Sequence, residues 1–79
     1  MKINEKLKQE FMLLGKHIRK LREERNLTLK EVSLKTDIRV QYLQKIENGL
    51  AYGVLIQKHL LKIAKAFQVK PCELFNYEQ

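Results

Sequence analysis

The chain has 79 residues, enough for one small domain and too few for a second hydrophobic core. Its 16 lysines and arginines outnumber its 9 aspartates and glutamates, and the formal net charge of +7 indicates a polyanionic partner or, on charge alone, a merely solvated basic surface. No apolar run or leader-like segment indicates a membrane helix or signal peptide, so we expect a cytoplasmic domain.

The first predicted helix covers about residues 11–25. Its apolar residues recur at helical spacing on one stripe: Leu7, Phe11, Leu14, Ile18 and Leu21. Gly15 weakens the prediction upstream, so residues 1–10 form either a helix extension or an N-terminal arm, and residues 11–79 form the domain. Asn26 suits a left-handed cap at the end of this helix.

The second predicted helix begins at residue 28 or 29. Thr28 and Glu31 have the spacing of a capping box, in which each side chain binds the backbone N–H of the other residue. The helix ends near Thr36, and Asp37 tolerates the left-handed backbone of a turn. These signals predict a helix followed by a tight turn.

Three further helices complete the predicted all-α fold. The third carries Ile38, Leu43 and Ile46 and stops at Asn48-Gly49. After the loop LAYGVL, a fourth helix has an apolar stripe formed by Ile56, Leu60, Ile63, Ala64 and Phe67. Pro71 starts a last short helix, whose Leu74 and Phe75 are predicted to fold onto the core.

This order of helices resembles the Cro/C1-type helix-turn-helix regulators, the XRE family. The resemblance runs through LGKHIRKLREERNLTLKEVSLKTDIRVQYLQKIENG and LLKIAKAFQVKPCELF and covers about residues 13–76. It implies a compact five-helix domain that binds double-stranded DNA as a small transcription regulator, with helix 3, about residues 40–48, in the major groove. It also implies a homodimer on a near-palindromic operator.

Four residues of helix 3 are predicted to face the base edges. They share one helix face at i, i+1, i+4 and i+5 spacing, and the family reads DNA from the matching positions: Val40, Gln41, Gln44 and Lys45. The Gln41 amide can pair with adenine, and Val40 can pack against a thymine methyl group. A solvated polar face is the alternative, and Lys45 can equally bind a phosphate.

The backbone of the DNA is expected to meet the start of helix 2 and both ends of helix 3. The candidate phosphate contacts are Thr28, Lys30, Arg39 and Asn48, of which Asn48 matches a family contact position. Arg22 and Glu47 match family positions that form a partly buried ion pair between helices 1 and 3. We expect this pair to hold the recognition helix at its angle.

Departures from the family pattern keep an alternative function open. The family commonly has a DNA-binding glutamine where Leu29 stands, a turn glycine where Asp37 stands, and a serine or threonine cap where Arg39 stands. The segment LTLKEVSLKTDIRVQYLQKIE also resembles the cytoplasmic helix-turn-helix domain of RodZ, which engages an actin-like filament. The alternative function is therefore a protein–protein adaptor.

The C-terminal half carries the candidate dimer interface. The apolar residues left over after the core stripes are assigned are Leu50, Tyr52, Val54, Leu55, Leu61, Phe75 and Tyr77. Alternatively, the loop folds back and buries Tyr52 and Leu55 in its own core. The N-terminal arm, with Ile3, Leu7 and Phe11, is a rival surface.

No catalytic or metal-binding pattern is evident. His17 and His59 have no nucleophile or carboxylate at a suitable spacing, and Cys72 is more readily interpreted as a partly buried packing residue. We therefore expect no enzyme activity, cofactor, metal or small-molecule ligand. The operator, the target genes, the sign of regulation and the choice among antitoxin, phage-type repressor and restriction-modification controller stay open.

Overall fold

The computed structural model describes residues 5–51 and 55–77, without the side chains of residues 55 and 56. Within them lie four α-helices and no strand: α1 (Glu5–Glu24), α2 (Leu29–Thr36), α3 (Val40–Glu47) and α4 (Leu55–Phe67). The predicted fifth α-helix is instead a 3₁₀ helix, Pro71–Phe75. A five-residue segment suits this tighter turn, since 3₁₀ geometry is favoured only in short pieces.

Helix α1 continues upstream of the predicted range of about 11–25. It begins at Glu5, so residues 5–10 form the helix extension that was one of the two alternatives for this segment. Gly15 does not interrupt this helix, and its backbone lies against the C-terminal end of α3. A Cβ atom at position 15 would overlap the carbonyl oxygens of Ile46 and Glu47. Glycine therefore permits the close approach of α1 and α3.

The core is formed by one stripe from each helix together with the 3₁₀ helix. Its buried apolar residues are Leu14, Ile18, Val32, Ile38, Leu43, Ile46, Ala51, Leu60, Ile63, Ala64, Phe67 and Leu74. The prediction that Phe75 folds onto the core was wrong, because this residue is 53% exposed, as its place among the candidate dimer residues requires, while Leu74 is fully buried. The two residues are adjacent in a tight turn, so only one of them can face the core.

A residue with a positive φ follows each of the four α-helices. Asn26 and Asp37 have φ values of 54° and 61°, as predicted for residues that tolerate this conformation. Gly49 follows α3 with a φ of 73°. Gln68, with a φ of 60° after α4, was not predicted, because glutamine is not a typical residue for this conformation.

The described helices include none long and apolar enough to cross a membrane.

Candidate nucleic-acid interface

The first turn of α2 is fixed by the predicted capping box. The Thr28 hydroxyl accepts a hydrogen bond from the Glu31 N–H at 3.1 Å, and Glu31 Oε1 accepts one from the Thr28 N–H at 2.9 Å. The bond from the Thr28 N–H, and then the Thr28 side chain, lower the pKa of the Glu31 carboxyl group. Because Glu31 engages the Thr28 N–H, a phosphate at this helix end would have to use the N–H groups of Leu29 and Lys30.

The turn between α2 and α3 is held by side-chain hydrogen bonds that the sequence analysis did not identify. Buried Thr36 donates from Oγ1 to the Val32 carbonyl at 2.7 Å and accepts from the Ile38 N–H at 3.2 Å. Ser33 donates from Oγ to the Ile38 carbonyl. A serine and a threonine in the last turn of a helix are a signal for such bonds to the backbone. They fix the direction in which α3 leaves the turn.

Helix α3 presents a polar face to solvent. The exposed residues of this helix and its C-cap are Gln41, Gln44, Lys45 and Asn48, which span a sector of about 100° around the axis. Val40 is partly buried and lies about 100° from Gln41, at the edge of this face. The structure therefore brings together three of the four predicted base-reading residues and puts the fourth at their margin.

The predicted phosphate contacts lie at the ends of α2 and α3. Thr28, Lys30, Arg39 and Asn48 are all exposed. Arg39 occupies the N-cap position of α3, and its side chain makes no capping hydrogen bond. Its guanidinium group is therefore available to an external anion.

A bidentate ion pair joins α1 to α3. Arg22 donates from Nε to Glu47 Oε2 at 2.7 Å and from Nη2 to Glu47 Oε1 at 3.2 Å. Its Nη1 donates to the Leu27 carbonyl at 2.8 Å, just before α2. The two side chains are only 13% and 9% exposed, and the hydrogen bond to Glu47 raises the pKa of Arg22 further. One guanidinium group thus connects α1, α3 and the segment that precedes α2.

A second arginine, directly after the C-terminal end of α1, joins this end to α4. Arg25 donates from Nε to the Phe67 carbonyl at 3.0 Å and from Nη1 to the Leu21 carbonyl at 2.9 Å. Its guanidinium carbon also lies 5.6 Å from the centroid of the Phe67 ring. This role was not predicted, because Arg25 and Phe67 are 42 residues apart in sequence and no local pattern links them.

The two histidines have different surroundings. His17 Nε2 lies 3.0 Å from the Glu73 carbonyl oxygen, and its ring is 5.6 Å from that of Tyr77. His59 packs against Tyr42 of α3. Cys72 is exposed, so its interpretation as a partly buried packing residue was wrong. The described part of the chain contains no cluster of His, Cys, Asp and Glu residues that could hold a metal ion.

The candidate dimer residues differ in how exposed they are. Leu50, Leu61 and Phe75 are 58%, 53% and 53% exposed, whereas Tyr77 packs against the core. Leu61 and Phe75 border an apolar depression that is also lined by Phe11, Leu60 and Pro71. Tyr52 and Val54 lie outside the described residues, as do the side chain of Leu55 and, in the rival N-terminal surface, Ile3.

Comparison with known proteins identifies a family and similar solved structures. The helix-turn-helix family model matches residues 18–74. The crystal structure of the restriction-modification controller protein C.AhdI from Aeromonas hydrophila superposes with a TM-score of 0.77 at 25% sequence identity. The match covers 85% of this chain and 98% of the C.AhdI chain. Among curated proteins, no sequence matches significantly.

Proposed function

The chain belongs to the Cro/C1-type helix-turn-helix family, whose members are DNA-binding transcription regulators, and from this membership we propose that it binds a specific sequence of double-stranded DNA. The observation that carries the proposal is the exposed polar face of α3. The Arg22–Glu47 ion pair and the contact at Gly15 hold this helix against α1. A single helix presented in this way fits the width of the major groove.

In this proposal the base edges are read by Gln41, Gln44 and Lys45, with Val40 at one side. An amide side chain can accept from the N6 amino group of adenine and donate to N7, which distinguishes adenine from the other bases. Gln41 lies in the first turn of the recognition helix, where side chains approach the bases most closely in helix-turn-helix proteins. Val40 would contact a thymine methyl group from the margin of the face.

The proposed phosphate contacts fix the register of α3 in the groove. Arg39 and Asn48 lie at opposite ends of this helix, and Lys30 extends from the first turn of α2. Thr28 contributes less than the sequence suggested, since its N–H and its hydroxyl oxygen are both engaged with Glu31. These contacts supply affinity and salt dependence but little sequence preference.

Selection of duplexes from a random pool by the purified protein tests the proposal. We expect a palindromic motif, and on that duplex Gln41→Ala should lose about 1–3 kcal/mol of discrimination at one position of the motif. The matched control is Gln9→Ala, which removes an exposed glutamine from α1. If Gln41→Ala kept the affinity and base preference of the wild type, Gln41 would not be a reading residue.

The same selection separates the regulator from the adaptor. Binding that is salt-sensitive but shows no preferred sequence, together with a protein partner recovered by pull-down, would support the RodZ-like alternative. A selected motif would exclude a purely structural role for the polar face of α3.

Among the biological roles compatible with a domain of this size, the similarity to C.AhdI favours a controller of a restriction-modification system. The similarity extends over nearly the whole C.AhdI chain and therefore is not limited to the two helices that all such regulators share. In this role the selected motif should lie upstream of restriction or methyltransferase genes. Its presence only at unrelated promoters would contradict the controller role and leave DNA binding intact.

A further inference from the structure

Tyr42 lies on α3 next to the face proposed to read bases, and its ring is held by α4. The ring packs edge-on against the imidazole of His59, with centroids 4.8 Å apart and an angle of 60° between the planes. Tyr42 is partly buried and shares a surface depression with Arg39, Gln41 and Lys45. Its hydroxyl group makes no hydrogen bond to another described residue, and it is not among the buried polar atoms that lack a partner, so it is accessible to solvent. A fixed ring with an accessible O–H group therefore borders the recognition face.

The His59 side of this contact carries two positive charges. Around the axis of α4, Lys62 lies about 60° and Lys58 about 100° from His59, on the same side of it. Burial, and then the charges of Lys62 and Lys58, lower the pKa of His59. His59 Nδ1 is buried without a hydrogen-bond partner among the described residues, so the ring serves Tyr42 as a neutral packing surface. Neither lysine belongs to an ion pair of the described part of the chain. Asp37 shares a depression with Lys62, but Lys35 and Lys65 line it too, so this flank of α4 has a positive balance of charge.

We propose that the Tyr42 hydroxyl and the ammonium groups of Lys58 and Lys62 bind one backbone phosphate of the DNA, at the edge of the groove that α3 enters. The inference rests on the proposed DNA-binding function and adds a contact from α4. An O–H donor beside two ammonium groups suits a phosphodiester, whose free oxygens accept charge-assisted hydrogen bonds. The position is suitable because the groove that receives α3 is bordered by phosphates.

The decisive variant is Tyr42→Phe, which keeps the ring and its packing against His59 and removes only the hydroxyl group. We expect binding to be at least about tenfold weaker, the lower end of the cost of a lost hydrogen bond to a charged group. The loss should be equal on the duplex selected by the wild type and on an unrelated duplex of the same length, because a phosphate contact carries no sequence information. The melting temperature should not change.

The matched control is Tyr77→Phe, which removes the hydroxyl of a partly buried ring on the side of α1 that faces the 3₁₀ helix. Its affinity should equal that of the wild type. Wild-type affinity of Tyr42→Phe would overturn the proposal. A loss confined to the selected duplex would also overturn it and would make Tyr42 a base-reading residue.

The lysines are tested through the salt dependence of binding. Lys58→Gln and Lys62→Gln should each reduce the slope of log affinity against log salt concentration by about one unit. Lys20→Gln makes the same charge change on α1, in a depression shared with Asn76 and Tyr77, and should leave the slope unaltered. If the salt slopes of Lys58→Gln and Lys62→Gln equalled that of Lys20→Gln, the proposed phosphate contact of the α4 lysines would be wrong.

These outcomes distinguish the two proposals. A wild-type protein that selects no duplex would overturn the proposed function and this inference with it. A wild-type protein that selects a motif, combined with wild-type binding by Tyr42→Phe, would overturn the inference alone.

Discussion

At the scale of single residues, Arg22 makes the contact on which the position of α3 depends. Its guanidinium group pairs with Glu47 and also binds the Leu27 carbonyl, and the ion pair is nearly excluded from solvent. Removing Glu47 leaves a partly buried positive charge without its carboxylate. We expect Glu47→Ala to lower the free energy of unfolding by about 3–5 kcal/mol and to abolish DNA binding, measured by thermal melting and by a binding assay.

A second ion pair on the same helix supplies the control for Glu47. Arg19 and Glu23 are 3.5 Å apart, and their side chains are 58% and 57% exposed. Solvent screens such a pair, so Glu23→Ala should change stability by less than about 0.5 kcal/mol. If Glu47→Ala lost binding and kept the wild-type melting temperature, Glu47 would be a DNA contact rather than a structural residue.

At the scale of elements, the contact between α1 and α3 depends on the absence of a side chain at position 15. Helix propensity alone favours alanine over glycine inside a helix by about 1 kcal/mol. The space at Gly15 is filled by the carbonyl groups of Ile46 and Glu47, which belong to backbone and cannot move aside as a side chain would. We expect Gly15→Ala to destabilise the protein and to weaken DNA binding, because α3 must shift.

The effect of Gly15→Ala is measured against Gln9→Ala, an exposed substitution on the same helix. Chemical denaturation should show a lower midpoint for the first variant and a midpoint near that of the wild type for the second. A higher midpoint for Gly15→Ala would mean that propensity prevails over the contact with α3.

Local signals were sufficient to predict the start of α2 and the turn after it. The capping box and the left-handed Asp37 depend on residues within a few positions of each other, and both are present. Gly15 was interpreted as a weak point of α1, because its contact with Ile46 and Glu47 joins residues far apart in sequence and no periodicity reveals it. The Tyr42–His59 contact was missed for the same reason.

In the candidate site, too, residue spacing predicted a feature that depends on local sequence and missed one that depends on distant contacts. Helical periodicity predicted an exposed face on α3, and Gln41, Gln44 and Lys45 are exposed on it. Val40 was assigned to the same face because residue spacing alone does not show how closely α3 packs on its neighbours. Which bases these residues contact stays a prediction, since base contacts depend on the DNA as well as on the helix.

At the scale of the whole molecule, one recognition helix reads only a few base pairs, and a second copy about 34 Å away along the DNA would double the contacts. We therefore propose that the active species is a homodimer formed through the C-terminal half. The surface that supports this is the apolar depression between α1, α4 and the 3₁₀ helix, bordered by Leu61 and Phe75. Burying these two side chains against a second copy would remove apolar surface from water, the main favourable term in most protein association.

Sedimentation at micromolar concentration tests this assembly. We expect the wild type to sediment as a dimer and Leu61→Lys or Phe75→Lys as a folded monomer, because each change puts a charge into the interface and alters an exposed position. Leu34→Lys is the matched control, since Leu34 is 78% exposed on α2, away from the depression, and this variant should stay dimeric.

The monomeric variants should also bind the selected duplex more weakly, because each retains only one recognition helix. A wild-type protein that stays monomeric on that duplex would exclude the dimer, and a dimer unaffected by either lysine would place its interface elsewhere on the molecule.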